Sequence, residues 1–296
     1  MKKIITAILS ATMLFTVIGC SNTESNSTSS SSEAKSNDFK IVTSFYPMQI
    51  LTMNLTKDIN NVNLISMSEP NLECIHDHTF TTEDLKMIEN ADVFVENGLN
   101  LEVFNDKITS AYPNTKIIEA SKNVTANESS NPHVWTNIDD YIKQIEYVSS
   151  MLQSLNPENK DKYSANEKDY VEKLNKLNSD FKDNLSKIEG KKVLVLDETL
   201  PPLCTFAKLK TIEIESDHEN ESISADAIKN TIEEMKKDNV KSIFIKKGSD
   251  RKNAEIIAKE TEAKIYEFNS CMTGDINIDA YLNDMNENFK IISEIE

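Results

Sequence analysis

The chain has 296 residues, with 32 Lys and Arg against 49 Asp and Glu and a formal net charge of -17. Such acidity excludes nucleic acid as a partner, because a polyanion needs a basic face to bind. Four cysteines without regular spacing exclude a disulfide framework, and the length is enough for two lobes with apolar cores of their own.

Lys2 and Lys3 precede an apolar stretch, Ile4 to Ile18, that is too short for a membrane span, so residues 1–19 read as a signal peptide. Val17-Ile18-Gly19-Cys20 resembles a bacterial lipobox, which implies a diacylglycerol on Cys20 and a protein held by lipid to the extracellular face of the cell membrane. Acylation of Cys20 leaves Cys74, Cys204 and Cys271, of which two could pair outside the cell. Residues 20–38 are almost entirely Ser, Asn, Thr, Glu and Lys after the cysteine, with nothing to bury, and read as a disordered tether.

The folded part opens with a β-branched and aromatic run over 39–45, which predicts a strand, and Tyr46-Pro47 ends it before a helix from Met48 to Leu55. A second strand is expected over 62–67, a helix over 82–91 with Thr-Thr-Glu-Asp capping chemistry, a third strand over 92–95 and a fourth over 116–119. From Ile138 to Leu155 apolar residues recur at helical spacing until Asn156-Pro157. The charged stretch 157–188 carries Tyr163, Tyr170, Leu174, Leu177, Phe181 and Leu185 at steps of three, four and seven, and Gly190 is placed to cap it. Strands at 192–196, 211–215, 241–245 and 264–268 then alternate with helices at 224–237, 251–261 and 279–294. This grammar predicts an α/β protein of two parallel-sheet lobes, 39–156 and 190–296, joined by one long rigid helix over 157–189. A helix of about 30 residues spans roughly 45 Å at 1.5 Å per residue, a strut that leaves little room for hinge closure.

Four histidines are present: His76, His78, His133 and His218. His76 and His78 lie in the loop Glu69-Pro-Asn-Leu-Glu-Cys-Ile-His-Asp-His between strand and helix, and His133 lies in Asn131-Pro-His-Val-Trp, again before a helix. Loops after the carboxyl ends of parallel strands are where such folds place ligands, and imidazole is the commonest metal donor. The second lobe has no histidine at corresponding places. Its first strand runs instead into Asp197-Glu198, where a carboxylate could reach the cleft or cap a helix. The run 215–224, which includes His218, is a candidate acidic flap or a solvated loop.

These residues carry a resemblance over essentially the whole folded part. Thr43-Ser-Phe-Tyr-Pro, the loop Cys74-Ile-His-Asp-His-Thr-Phe-Thr before Glu83-Asp-Leu, and Ala91-Asp-Val-Phe-Val-Glu-Asn-Gly-Leu-Asn-Leu-Glu belong to it. So do Asn131-Pro-His-Val-Trp, Asn156-Pro-Glu-Asn with Tyr163-Ser-Ala-Asn, and Tyr281-Leu-Asn-Asp-Met-Asn-Glu-Asn. The chain resembles the metal-binding lipoproteins of zinc and manganese ABC importers, a family that includes proteins called adhesins. The resemblance implies a monomer that captures Zn2+ or Mn2+ as a transported ligand and delivers it to an ABC permease and its ATPase.

It also implies one metal between the lobes with two donors from each. His76 matches the first position and His133 the second; Glu198 falls at the third, with Asp197 one residue away. At the fourth, usually Asp, this chain has Asn269, a neutral and weaker donor, with Cys271 or Asp275 as possible substitutes. Losing one negative charge should weaken binding and disfavours manganese more than zinc. His78 stands where the family more often has an aromatic residue and is expected near the site or exposed, and Trp135 is expected to pack against the His133 loop. The rivals are a relative that adheres without transporting metal and a metallohydrolase built on His76, His133 and Glu198, for which no H-E-x-x-H signature is present.

Overall fold

Parallel strands can be joined only by crossovers, and a helix is the usual one, so strict strand and helix alternation leaves few topologies open. The computed structural model describes residues 38–72, 75–76, 78–125, 131–214 and 223–295. The signal peptide, the Cys20 anchor, the tether up to residue 37, Cys74, and His218 with the rest of 215–222 lie outside the described residues.

The first sheet is built from β1 (Phe39–Thr43), β2 (Val62–Ser66), β3 (Val93–Glu96) and β4 (Lys116–Glu119), all parallel in the order β2-β1-β3-β4. Between them run α1 (Tyr46–Leu55), α2 (Thr82–Ile88) and α3 (Asn105–Ala111). Pro47 sits in the first turn of α1, where its missing N–H costs nothing. Thr81 and Asp84 close a reciprocal capping box at the start of α2. Two long helices follow, α4 (Ile138–Leu155), capped by the Asn137 side chain, and α5 (Lys160–Ser186). The second sheet holds β5 (Lys192–Val195), β6 (Lys210–Glu213), β7 (Ser242–Lys246) and β8 (Lys264–Phe268), with α6 (Pro201–Phe206), α7 (Ala225–Asp238), α8 (Lys252–Thr261) and the terminal α9 (Ala280–Ile292). Its order, β6-β5-β7-β8, reproduces that of the first sheet, and all its pairs are parallel.

Three details differ from the sequence reading. Helices α3 and α6 are added; at seven and six residues they are too short to show a period, and Pro201 and Pro202 sit at the permissive start of α6. The long helix begins as a single 3-10 turn at Pro157–Asn159, and α5 proper spans 27 residues, about 40 Å. It ends at Ser186, so Gly190 is not its cap. Gly190 instead takes φ +80° in the turn that enters β5, with its N–H on Lys208 O at 2.9 Å.

The cores explain why α5 behaves as a strut. One apolar cluster includes Ile41, Val42 and Phe94 of the first sheet, Trp135, Tyr141 and Ile145, then Tyr170 and Leu174 of α5, and finally Val193, Phe244, Phe268, Met285 and Phe289 of the second half. Both sheets therefore share a core, in which Tyr141 stacks on Tyr281 at 3.8 Å between ring centroids. A smaller cluster, Leu194, Ile212, Met235, Val240, Ile243, Ile245, Ala254 and Ile257, covers the outer part of the second lobe.

Leu174 is fully buried in the shared cluster. Leu174→Ala is expected to cost about 2–5 kcal/mol, and urea denaturation followed by probes in both lobes should shift as one transition. Two separated transitions would contradict a shared core.

Candidate metal centre

The carboxyl ends of the strands carry the loops that hold the predicted site residues. His76 follows β2, His133 follows β4, Glu198 follows β5 and Asn269 follows β8. Three of these come together: one ligand atom each from His76, His133 and Glu198 lies within 4.8 Å of the others. The imidazoles of His76 and His133 meet edge to face at 5.8 Å between centroids, and His133 Nε2 lies 3.8 Å from Glu198 Oε1.

His133 is the most tightly built of the three. It is 1% exposed, and its Nδ1 lies 2.8 Å from Asn131 Oδ1, which also accepts the His133 backbone N–H at 2.9 Å. The other end of the Asn131 amide donates to Glu198 O at 2.6 Å. That bond fixes which end is oxygen, and since Oδ1 can only accept, Nδ1 carries the proton and the lone pair is left on Nε2. Burial first, then the charges of His76 and Lys246, push the His133 pKa down to about 3, while a backbone contact with Glu198 works the other way. His133 is therefore neutral at working pH, and its contact with Glu198 is not a salt bridge. Asn131 was not singled out from the sequence, although its place two residues before the histidine was a usable signal, the spacing of a side chain that turns back on its own backbone.

Glu198 is the open member of the group, its side chain 62% exposed. Asp197 faces elsewhere: its Oδ1 accepts the backbone N–H of Thr199 at 2.9 Å and the Thr199 hydroxyl. His78 is likewise engaged, with Nε2 at 3.0 Å from Asp84 Oδ2 in the capping box of α2 and its ring against Phe104. Cys271 and Asp275 do not join the three-residue group. The Cys271 thiol is buried, which raises its pKa well above the ordinary value and keeps it protonated. Asn269 is held by α9: its backbone N–H donates to Asn288 Oδ1, Asn288 Nδ2 donates back to Asn269 O, and Asn269 Nδ2 donates to Glu287 Oε2, each at 2.8 Å.

The His133 loop is fixed from both lobes. The indole of Trp135 is fully buried, edge-on to Phe45 at 5.1 Å and to His133 at 5.2 Å, and its Nε1–H donates to Ser270 O at 3.0 Å. From below, Asn97 Nδ2 donates to Pro132 O at 3.0 Å, and Glu102 accepts the backbone N–H groups of Asn97 and Gly98 and the Ser44 hydroxyl. Burial raises the pKa of Glu102 and of Glu96, and at Glu96 the charge of Glu102 adds to the rise, which reaches about 8.

Residues 41–295 match the family model described as the periplasmic component A of a zinc-uptake complex. The chain belongs to this family. It is 27% identical over 270 residues to the high-affinity zinc uptake system protein ZnuA of Bacillus subtilis, covering 84% of this chain and 82% of that protein. It is 28% identical over 288 residues to the manganese ABC transporter substrate-binding lipoprotein scaA of Streptococcus gordonii, covering 90% and 89%. The solved laminin-binding protein Lmb of Streptococcus agalactiae, described as bifunctional with adhesin and metal transporting activity, shares the fold. It matches with a TM-score of 0.76 at 24% identity over 86% of this chain and 98% of that one.

A carboxyl pKa raised by folding means that the native state keeps protons the unfolded chain has lost, so its stabilisation is full below the ordinary Glu value of 4.5 and fades as pH climbs to about 8. His133, with its pKa lowered, contributes in the opposite sense, and that contribution is complete above its ordinary value of 6.5. Between these limits, from 6.5 to about 8, the thermal midpoint should therefore fall, and Glu96→Gln should flatten the slope. A midpoint that rises over this window in both proteins would contradict the buried acid pair.

Proposed function

We propose that the chain is the extracytoplasmic receptor of an ABC importer, capturing one divalent transition metal between its lobes and delivering it to the permease and ATPase, with zinc favoured over manganese. A lipid on Cys20 would hold it, as a monomer, on the outer face of the membrane. The observation that carries this reading is the convergence of His76, His133 and Glu198 to within 4.8 Å on loops from both lobes.

The donor set suits the cargo. Two imidazole nitrogens and one carboxylate make a mixed nitrogen and oxygen site of the sort that holds zinc, manganese or iron. With Asn269 as the fourth donor the set carries one negative charge, which serves zinc better than the harder manganese ion. Asn131 would act as the partner that orients His133 and keeps its Nε2 lone pair aimed at the ion, the role that outer carboxylates and carbonyls play around metal-bound histidines. A hydrolytic reading would need a base poised over a metal-bound water, and Asp197, the carboxylate beside Glu198, is occupied by Thr199.

The test is titration calorimetry with metal analysis on the chain from Asp38 onward, stripped by chelator, with zinc and manganese in parallel. One zinc per chain is expected, with manganese weaker, and the His76→Ala, His133→Ala double variant should lose it. Equal and weak binding by both proteins would sink the reading. Asn131→Ala should weaken zinc binding by about 10- to 100-fold while leaving the far-ultraviolet circular dichroism unchanged; an unaltered affinity would remove Asn131 from the site.

A further inference from the structure

At the carboxyl edge of the second sheet, β7 ends at Lys246 and is followed by Lys247, β8 is followed by Asn269, and the Lys247 N–H on Phe268 O at 2.8 Å joins the two. Helix α9 lies against this edge and presents Glu287 to both. Lys247 Nζ lies 3.0 Å from Glu287 Oε1 and 3.3 Å from Oε2, while Asn269 Nδ2 donates to that same Oε2 at 2.8 Å. The main chain at 269 has no freedom to retreat, because the fully buried Asn288 side chain bonds both its N–H and its carbonyl.

The consequence is chemical. An amide can turn its NH2 end to Glu287 and leave a carbonyl oxygen for another partner, whereas a carboxylate at 269 would set an oxygen anion at hydrogen-bond distance from another, with no proton between them. Lys247 is the ammonium bonded to Glu287 here and Lys290 adds a weaker attraction, while burial and then the charge of Glu287 push Asp284 up to about 6 against the pull of Lys247.

We propose that Glu287 is a positioning residue that determines the chemistry of the fourth position: itself held by Lys247, it grips the amide of Asn269 and bars a carboxylate there, so that the centre works with a neutral oxygen. This rests on the reading of the centre as a site for cargo. It turns the asparagine from a decayed ligand into one half of a matched pair, and it locates the other half 18 residues away on α9.

The experiment is a double-mutant cycle on the same protein, read by zinc titration and, separately, by thermal melting after chelation. Asn269→Asp alone should lower the metal-free melting midpoint by about 2–4 °C and bind zinc no more tightly than the parent. Adding Glu287→Gln, which supplies an amide donor to the new carboxylate, should restore the midpoint and tighten zinc binding on the order of tenfold. If Asn269→Asp alone melts like the parent and gains as much affinity as the double variant, the proposal is overturned. A double variant that regains stability without affinity overturns it too, because residue 269 then does not act on the cargo. A parent that binds no zinc marks failure of the importer reading instead, and the melting arm still decides whether Glu287 opposes a carboxylate at 269.

Discussion

The indole of Trp135 is the point at which the two lobes and the candidate metal centre are joined. It is fully buried, edge-on to Phe45 of the first lobe and to His133, with its N–H on the Ser270 carbonyl and its own carbonyl accepting the Tyr281 hydroxyl at 2.7 Å. A residue of this size carries a large apolar area and one polar handle, and here the handle reaches across to the loop after β8. Thr136 adds a second tie, its hydroxyl on Thr199 O at 2.8 Å. The gap between His133 and Glu198 is thus set by the same contacts that close the core, and α5 braces the arrangement from behind.

Electrostatics then sorts the groups in the cleft. His133 is stripped of solvent and kept neutral, with its tautomer dictated by Asn131, while Glu198 keeps most of its surface in water. The net charge of -17 on the whole chain favours cations in general. Selectivity has to come from the short list of groups that actually converge, and these are supplied unevenly: two imidazoles from the first lobe and one carboxylate from the second.

Much of this was legible in the chain. Helical periodicity gave α4 its observed ends, the β-branched runs gave all eight strands to within a few residues, and the approach of His76, His133 and Glu198 to one another was expected from their places after predicted strands together with a family resemblance. What was not legible depended on contacts between distant segments. Asn131 had a local signature, but its second bond, to the Glu198 carbonyl, spans 67 residues. Glu287 had no signature at all, since a glutamate on an amphipathic helix looks like any solvated residue until the helix is laid against the edge of a sheet. Gly190 was misplaced because a positive φ serves a strand-entering turn as well as a helix cap.

The contrast in exposure between the two sides of the centre bears on kinetics. With His133 sealed in the core and the lobes sharing that core, wide parting of the two halves would break the packing that defines the fold. An ion held there would meet water first at Glu198, on a loop that ends in a short helix. The gap between His133 and Glu198 would then widen through movement of one exposed carboxylate relative to a buried imidazole, without the protein being prised apart.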